Sequence, residues 1–217
     1  GDVAVLYGDN PLITEATLRR LVAARAEAGL VLMATRPSDP TGYGRLVTEG
    51  AQIRRIVEHA DATEAERAIG LCNAGVVCAG KGALFRWLGA LRADNRQNEF
   101  YLTDVVAAAD AEGLRVRAVE APEAELRGIN SRAELAAAEA EVQARLRRAA
   151  MEGGATLVLP ESVHLAWDTA LGRDVVVEPH VVFAPGVTVS DGATIRAFSH
   201  LEACVVGEGA VIGPYAR

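Results

Sequence analysis

Asp9 comes just after the apolar run Val3-Ala4-Val5-Leu6-Tyr7 and lies within Gly8-Asp9-Asn10-Pro11, which reads as a turn. A carboxylate leaving the carboxyl end of a buried strand sits where open α/β sheets place their ligands. Magnesium is commonly held by one or two carboxylates or amides together with substrate phosphates, so one such Asp suffices for a phosphoryl-transfer site. The same residue reads equally well as a turn-former before Asn10-Pro11. Asn73 interrupts the apolar stretch Leu71-Cys72-Asn73-Ala74-Gly75-Val76-Val77. A buried amide needs partners, and either a sugar hydroxyl or neighbouring backbone would serve. Glu58 closes a hairpin strand beside His59 and reads as a sugar-binding carboxylate or as an ordinary edge charge. The glycines of Thr41-Gly42-Tyr43-Gly44-Arg45 let backbone approach a ligand, or serve a turn.

Strands alternating with helices must position these residues. Residues 3–7 and 30–35 read as strands, with a helix between them capped by Thr14 and stopped at Gly29; Leu18, Leu21 and Val22 share its apolar face. A hairpin turns at Glu49-Gly50 between 45–48 and 53–58, and further strands fall at 71–79 and 114–119. Helical spacing covers 84–91 and 103–112, and the 84–91 stripe reads as core. This order implies an α/β domain over 1–130 with a mostly parallel sheet. Ser131-Arg132-Ala133-Glu134 has capping-box form and opens a long Ala-rich helix, an arm over 131–154 that stops at Gly153-Gly154.

The character then changes over 155–217. Aliphatic residues recur at Leu171, Val177, Phe183, Val189, Ile195 and Leu201, then after one step of five at Val206 and Ile212. A second row stands four residues later: Val175, Val181, Val187, Ala193, Ser199, Val205, Ala210 and Ala216. Neither a strand nor a helix repeats at six, so the pattern is that of hexapeptide repeats in a parallel β-helix, about two and a half coils of roughly 18 residues.

Composition bounds the function classes. A net charge of −7 argues against nucleic-acid binding. No apolar run reaches the roughly 18–20 residues of a membrane span, and no secretory leader opens the chain. Cys72, Cys78 and Cys204, an odd number without CxxC spacing, fit reduced thiols and a cytoplasmic location. His59, His164, His180 and His200 are too irregularly spaced for a zinc site. The opening in a buried strand without an initiator Met, and the close inside a repeat, read as a piece of a longer protein.

Six stretches carry a resemblance: Leu6-Tyr7-Gly8-Asp9-Asn10-Pro11-Leu12, Asp39-Pro40-Thr41-Gly42-Tyr43-Gly44-Arg45, Ile56-Val57-Glu58-His59, Cys72-Asn73-Ala74-Gly75, Tyr101-Leu102-Thr103-Asp104 and Gly128-Ile129-Asn130-Ser131-Arg132. In this order, followed by an arm helix and hexads, the chain resembles the bifunctional N-acetylglucosamine-1-phosphate uridylyltransferases and glucosamine-1-phosphate acetyltransferases. The resemblance implies a Rossmann-like nucleotidyltransferase domain joined to a left-handed β-helix. It implies that UTP and N-acetylglucosamine-1-phosphate yield UDP-N-acetylglucosamine, with Mg²⁺ on Asp9 and Asn130 and Asp9 central to catalysis. Tyr7 and Gly8 would line the nucleotide-sugar site, while Gly44, Glu58 and Asn73 would hold the N-acetylglucosamine moiety. The β-helix would form a homotrimer whose later coils use acetyl-CoA. The family's Gly-rich, Lys-containing phosphate loop and its acetyltransferase His have no counterpart in these residues, so the 217 residues alone are expected to be inactive in both reactions. Two rival readings are another sugar-1-phosphate nucleotidyltransferase with a regulatory β-helix, and a non-catalytic assembly subunit. The Thr-Gly-Tyr-Gly loop with Glu58 and Asn73 favours the N-acetyl sugar.

Overall fold

The computed structural model describes residues 1–217, which divide into two compact units, Gly1–Asn130 and Ser131–Arg217. In the first, β1 (Asp2–Val5) leads through α1 (Glu15–Ala24) to β2 (Leu30–Thr35). The hairpin β3 (Arg45–Glu49) and β4 (Gln52–Val57) is followed by the short α2 (Glu64–Arg67), the long β5 (Cys72–Gly80) and α3 (Lys81–Ala90). α4 (Val105–Ala111), β6 (Val116–Glu120) and α5 (Glu123–Leu126) complete the unit.

The six strands form one sheet in the order β4-β3-β5-β2-β6, with β1 on β5. It is mixed, which corrects the mostly parallel sheet that the sequence suggests. Only β2 and β6 pair in parallel; β1, β2 and β3 all pair antiparallel with β5, and β3 with β4. The physical reason is the place of β5. β1 and β2 run in the same direction, as a strand–helix–strand crossover demands, but β5 inserts between them in the opposite sense. Helical and strand propensity report which segments are strands and say nothing about which strand is inserted where.

Local signals hold well elsewhere. Thr14 caps α1 by accepting from the Thr17 N–H, and β2 is buried along its whole length. Leu21 is wholly buried, whereas Val22, expected on the same face, is 54% exposed. Gly50 turns the hairpin at φ +59°, the left-handed region that glycine enters without steric cost.

The second unit opens with α6 (Arg132–Glu152), whose N-cap Ser131 accepts from the Glu134 N–H. Ten two-residue strands follow: β7 (Thr156–Leu157), β8 (His164–Leu165), β9 (Ala170–Leu171), β10 (Val176–Val177), β11 (Val182–Phe183), β12 (Thr188–Val189), β13 (Thr194–Ile195), β14 (His200–Leu201), β15 (Val205–Val206) and β16 (Val211–Ile212). They stack in parallel into three sheets, β7-β10-β13-β16, β8-β11-β14 and β9-β12-β15. This is the left-handed β-helix that the hexads imply, with about three turns instead of two and a half. The extra coil escapes the six-residue count because a single-turn 3₁₀ helix, Pro160–Ser162, stretches the step between the inward residues Leu157 and Leu165.

The expected aliphatic row is the interior: Val177, Phe183, Val189 and Ile195 are at most 2% exposed, and Val175, Val181, Val187 and Ala193 are wholly buried. Val205 departs from its expected row and is 76% exposed. The one short step shifts the phase, so Cys204 packs on the core in its place. α6 belongs to the solenoid's unit. Gln143 Nε2 donates to the Leu165 carbonyl (2.8 Å) while its Oε1 accepts from the Leu165 N–H (3.0 Å), as a neighbouring strand would. Leu146 and Ala150 pack on the solenoid core. The helix thus covers the first coil's backbone, the role a capping element must fill in a repeat protein.

Candidate functional site

The loop after β1 is tied to α5 and the segment after it by short-range bonds between residues more than a hundred positions apart. Asn10 Nδ2 donates to the Leu126 carbonyl (2.7 Å), Ile129 N–H to the Asp9 carbonyl (2.9 Å), and the Thr14 hydroxyl to Glu125 Oε2 (2.9 Å). The sequence groups Asp9 and Asn130 only by resemblance; the fold brings them together. A methyl group built on Gly128 would lie 3.4 Å from Asp9 Oδ2 and 3.8 Å from Asn130 Nδ2, so both side chains face one small volume. Both are exposed to solvent.

Beside them opens a cleft of about 340 Å³ lined by Tyr7, Gly44, Glu58, Asn73 and Asn130, among others. Gly44 is placed by β3 and β5, since Asn73 N–H donates to its carbonyl (2.8 Å). Only glycine fits there: a Cβ would meet Ile56 Cγ2 at 2.9 Å and Glu58 Oε2 at 3.2 Å. Glu58 is oriented by Thr103, whose hydroxyl donates to Oε1 (2.8 Å). Asn73 Oδ1 accepts from Gly75 N–H (3.2 Å), which leaves its amide N–H groups for a ligand. Gly75 holds φ +76°, and a Cβ on it would strike the Tyr7 ring at 2.4 Å. Burial first, then the charges of Glu58 and Asp9, push the Tyr7 phenol above its usual range. The cleft is thus anionic along one wall, and Tyr7 stays neutral within it.

Gly8 makes none of these contacts. It is exposed, with no atom within 4 Å of a built Cβ, and does not line the cleft. Sequence reasoning gives no role to Thr103, whose partner is 45 residues away, nor to Gly75 or Gly128. A hydroxyl inside the quoted Tyr101-Leu102-Thr103-Asp104 stretch is the only signal that would have pointed to Thr103.

One carboxylate and one amide form a hard, sparse donor set. No group of three or more His, Cys, Asp or Glu side chains capable of holding a metal occurs in the chain. Asp9 and Asn130 offer oxygen donors of the kind Mg²⁺ accepts, since that ion keeps its waters and shares its coordination with substrate phosphates.

An open mixed sheet gathering a carboxylate and an amide at its loop end, continued by a long helix and hexapeptide coils, defines the class: a Rossmann-like α/β domain followed by a left-handed β-helix. Known proteins narrow the class to a family. The chain is 69% identical over 213 residues to the bifunctional protein GlmU of Gluconacetobacter diazotrophicus, covering 95% of this chain and 46% of that protein. It is 59% identical to that of Gluconobacter oxydans (97% and 48% covered) and 58% to that of Acidiphilium cryptum (100% and 50% covered). The chain belongs to the GlmU family and spans about half the length of the curated relatives it matches. No protein-family model matches it. Among solved structures, a nucleoside-diphosphate-sugar pyrophosphorylase from Vibrio cholerae is 13% identical with a TM-score of 0.45, over 63% of this chain and 55% of that one, a likeness too distant to bear on function.

Proposed function

We propose that this chain supplies the sugar-facing and metal-facing side of a site that transfers a uridylyl group from UTP to N-acetylglucosamine-1-phosphate, giving UDP-N-acetylglucosamine and pyrophosphate. The observation that carries the reading is the convergence of Asp9 and Asn130 on the space beside Gly128, at the edge of a cleft holding Glu58, Gly44 and Asn73. A phosphate oxygen of the sugar phosphate attacks the α-phosphorus of UTP in line, and the bond to pyrophosphate breaks. Such transfer is catalysed mainly by positioning and by neutralising charge.

Asp9 and Asn130 would hold Mg²⁺, which offsets the negative charge of the phosphates. Glu58, fixed by Thr103, accepts from a sugar hydroxyl. Asn73 donates through its amide, and the Gly44 backbone passes close because no side chain intervenes. Tyr7 packs beside them as a neutral wall. We further assign the solenoid to trimer formation, with acetyl transfer from acetyl-CoA to glucosamine-1-phosphate in coils beyond those described, in a cytoplasmic enzyme.

The test uses a full-length chimera, in which these residues replace the matching stretch of the Gluconacetobacter diazotrophicus relative. Pyrophosphate release from UTP and N-acetylglucosamine-1-phosphate is expected, and Asp9→Ala should lower it roughly a thousandfold. Unchanged turnover in Asp9→Ala sinks the proposal and favours the reading of a non-catalytic assembly subunit.

A further inference from the structure

Arg45 opens β3 immediately after Gly44 and is only 1% exposed, the largest side chain withdrawn from solvent in the chain. A guanidinium stays protonated at any working pH, and burying its charge without a carboxylate is costly. None of the ion pairs includes Arg45. Its guanidinium instead reaches groups on three separate segments. Nη1 donates to the Tyr43 carbonyl in the glycine loop, and Nε to the Arg67 carbonyl at the end of α2 (3.4 Å). Nη2 stands 3.5 Å from Nδ1 of His59, in the turn after β4. Arg67 closes the circuit, with Nε and Nη2 donating to the His59 carbonyl at 3.4 and 3.3 Å.

A buried, unpaired charge is retained where its geometry is needed, and this one spans the elements that carry Gly44 and Glu58. A Cβ built on Gly44 would stand only 3.2 Å from Glu58 Oε2, so the space between the two is tight and a small relaxation of either segment changes it. Lysine cannot take the same place: its ammonium is a point charge, whereas the planar fork reaches two carbonyls and the His59 ring at once.

We infer that Arg45 is a positioning residue for the sugar: its guanidinium fixes the spacing between the Gly44 backbone and the Glu58 carboxylate, and so governs affinity for the sugar phosphate and not for the nucleotide. The inference rests on the function proposed above. In the full-length chimera, Arg45→Lys should raise KM for N-acetylglucosamine-1-phosphate roughly tenfold, with KM for UTP within about twofold and kcat falling less than KM rises. Arg45→Met should give a larger rise with the same selectivity. If Arg45→Met does not fold, the lysine variant, which keeps the charge, carries the test. A purely structural role lowers the fraction of active molecules, so that kcat drops while both KM values hold; that result, or an equal rise in both KM values, overturns the inference. If the unsubstituted chimera itself releases no pyrophosphate with this sugar phosphate, the proposed function fails first and this inference with it.

Discussion

Replacing Gln143 by leucine tests the idea that α6 caps the solenoid. Gln143 is 7% exposed and answers both the N–H and the C=O of Leu165, at 3.0 and 2.8 Å. Leucine has nearly the same volume, so no large cavity opens, and its helix propensity is at least as good. What changes is that a buried donor and a buried acceptor on the first coil lose their partners. Each orphaned group costs about 1–3 kcal/mol, offset in part by the added apolar contact, for a net of about 2–4 kcal/mol. Local opening of the first coil should therefore become roughly 30-fold to roughly 900-fold more frequent. Hydrogen exchange followed by mass spectrometry over peptides containing His164, Leu165 and Ala166 reads this directly. A change of less than about threefold in those peptides would show that α6 lies against the coil without capping it, and the reasoning would be wrong.

Two further outcomes follow from the first unit. Gly75→Ala places a methyl against the Tyr7 ring at a residue with φ +76°, so it should cost about 1–2 kcal/mol and weaken UDP-N-acetylglucosamine binding by roughly tenfold in calorimetry of the full-length chimera. Gly113→Ala, at φ +73° with nothing within 4 Å, is the control: similar backbone strain with unchanged binding. At α2, Thr63 bonds and the neighbouring Arg55 hold the Glu66 carboxyl at about 2, against an ordinary 4.5. A carboxyl depressed on folding adds stability above pH 4.5 that is lost as pH falls through about 2. Acid unfolding followed by circular dichroism should lose part of its pH dependence in that window in Glu66→Gln, and an unchanged acid limb would exclude the linkage.

Much of this protein was legible from local chemistry. β2 and the hairpin follow the sequence pattern closely, because burial on both faces and a positive-φ glycine leave few alternatives. The hexads give the solenoid interior, since each inward aliphatic must repeat with the coil. The failures come where a partner lies far along the chain. The eight-residue step from Leu157 to Leu165 hides a coil whose existence depends on pairing with β10 and β11. The phase slip at Cys204 shows only when coils stack. Parallel character was misjudged because β5 chooses its neighbours by tertiary packing.

For the site, residue types and resemblance marked Tyr7, Gly8, Asp9, Gly44, Glu58, Asn73 and Asn130 as the positions to locate. Only the fold decided that Asp9 and Asn130 face one volume, that Gly8 stands apart, and that Thr103 holds Glu58. Only the fold exposed Arg45 as a buried charge spanning three segments. The reason is physical: a side chain's identity limits what it can bond, but which partners come within 3 Å is set by loops closed over tens to more than a hundred residues, and no local pattern encodes those closures.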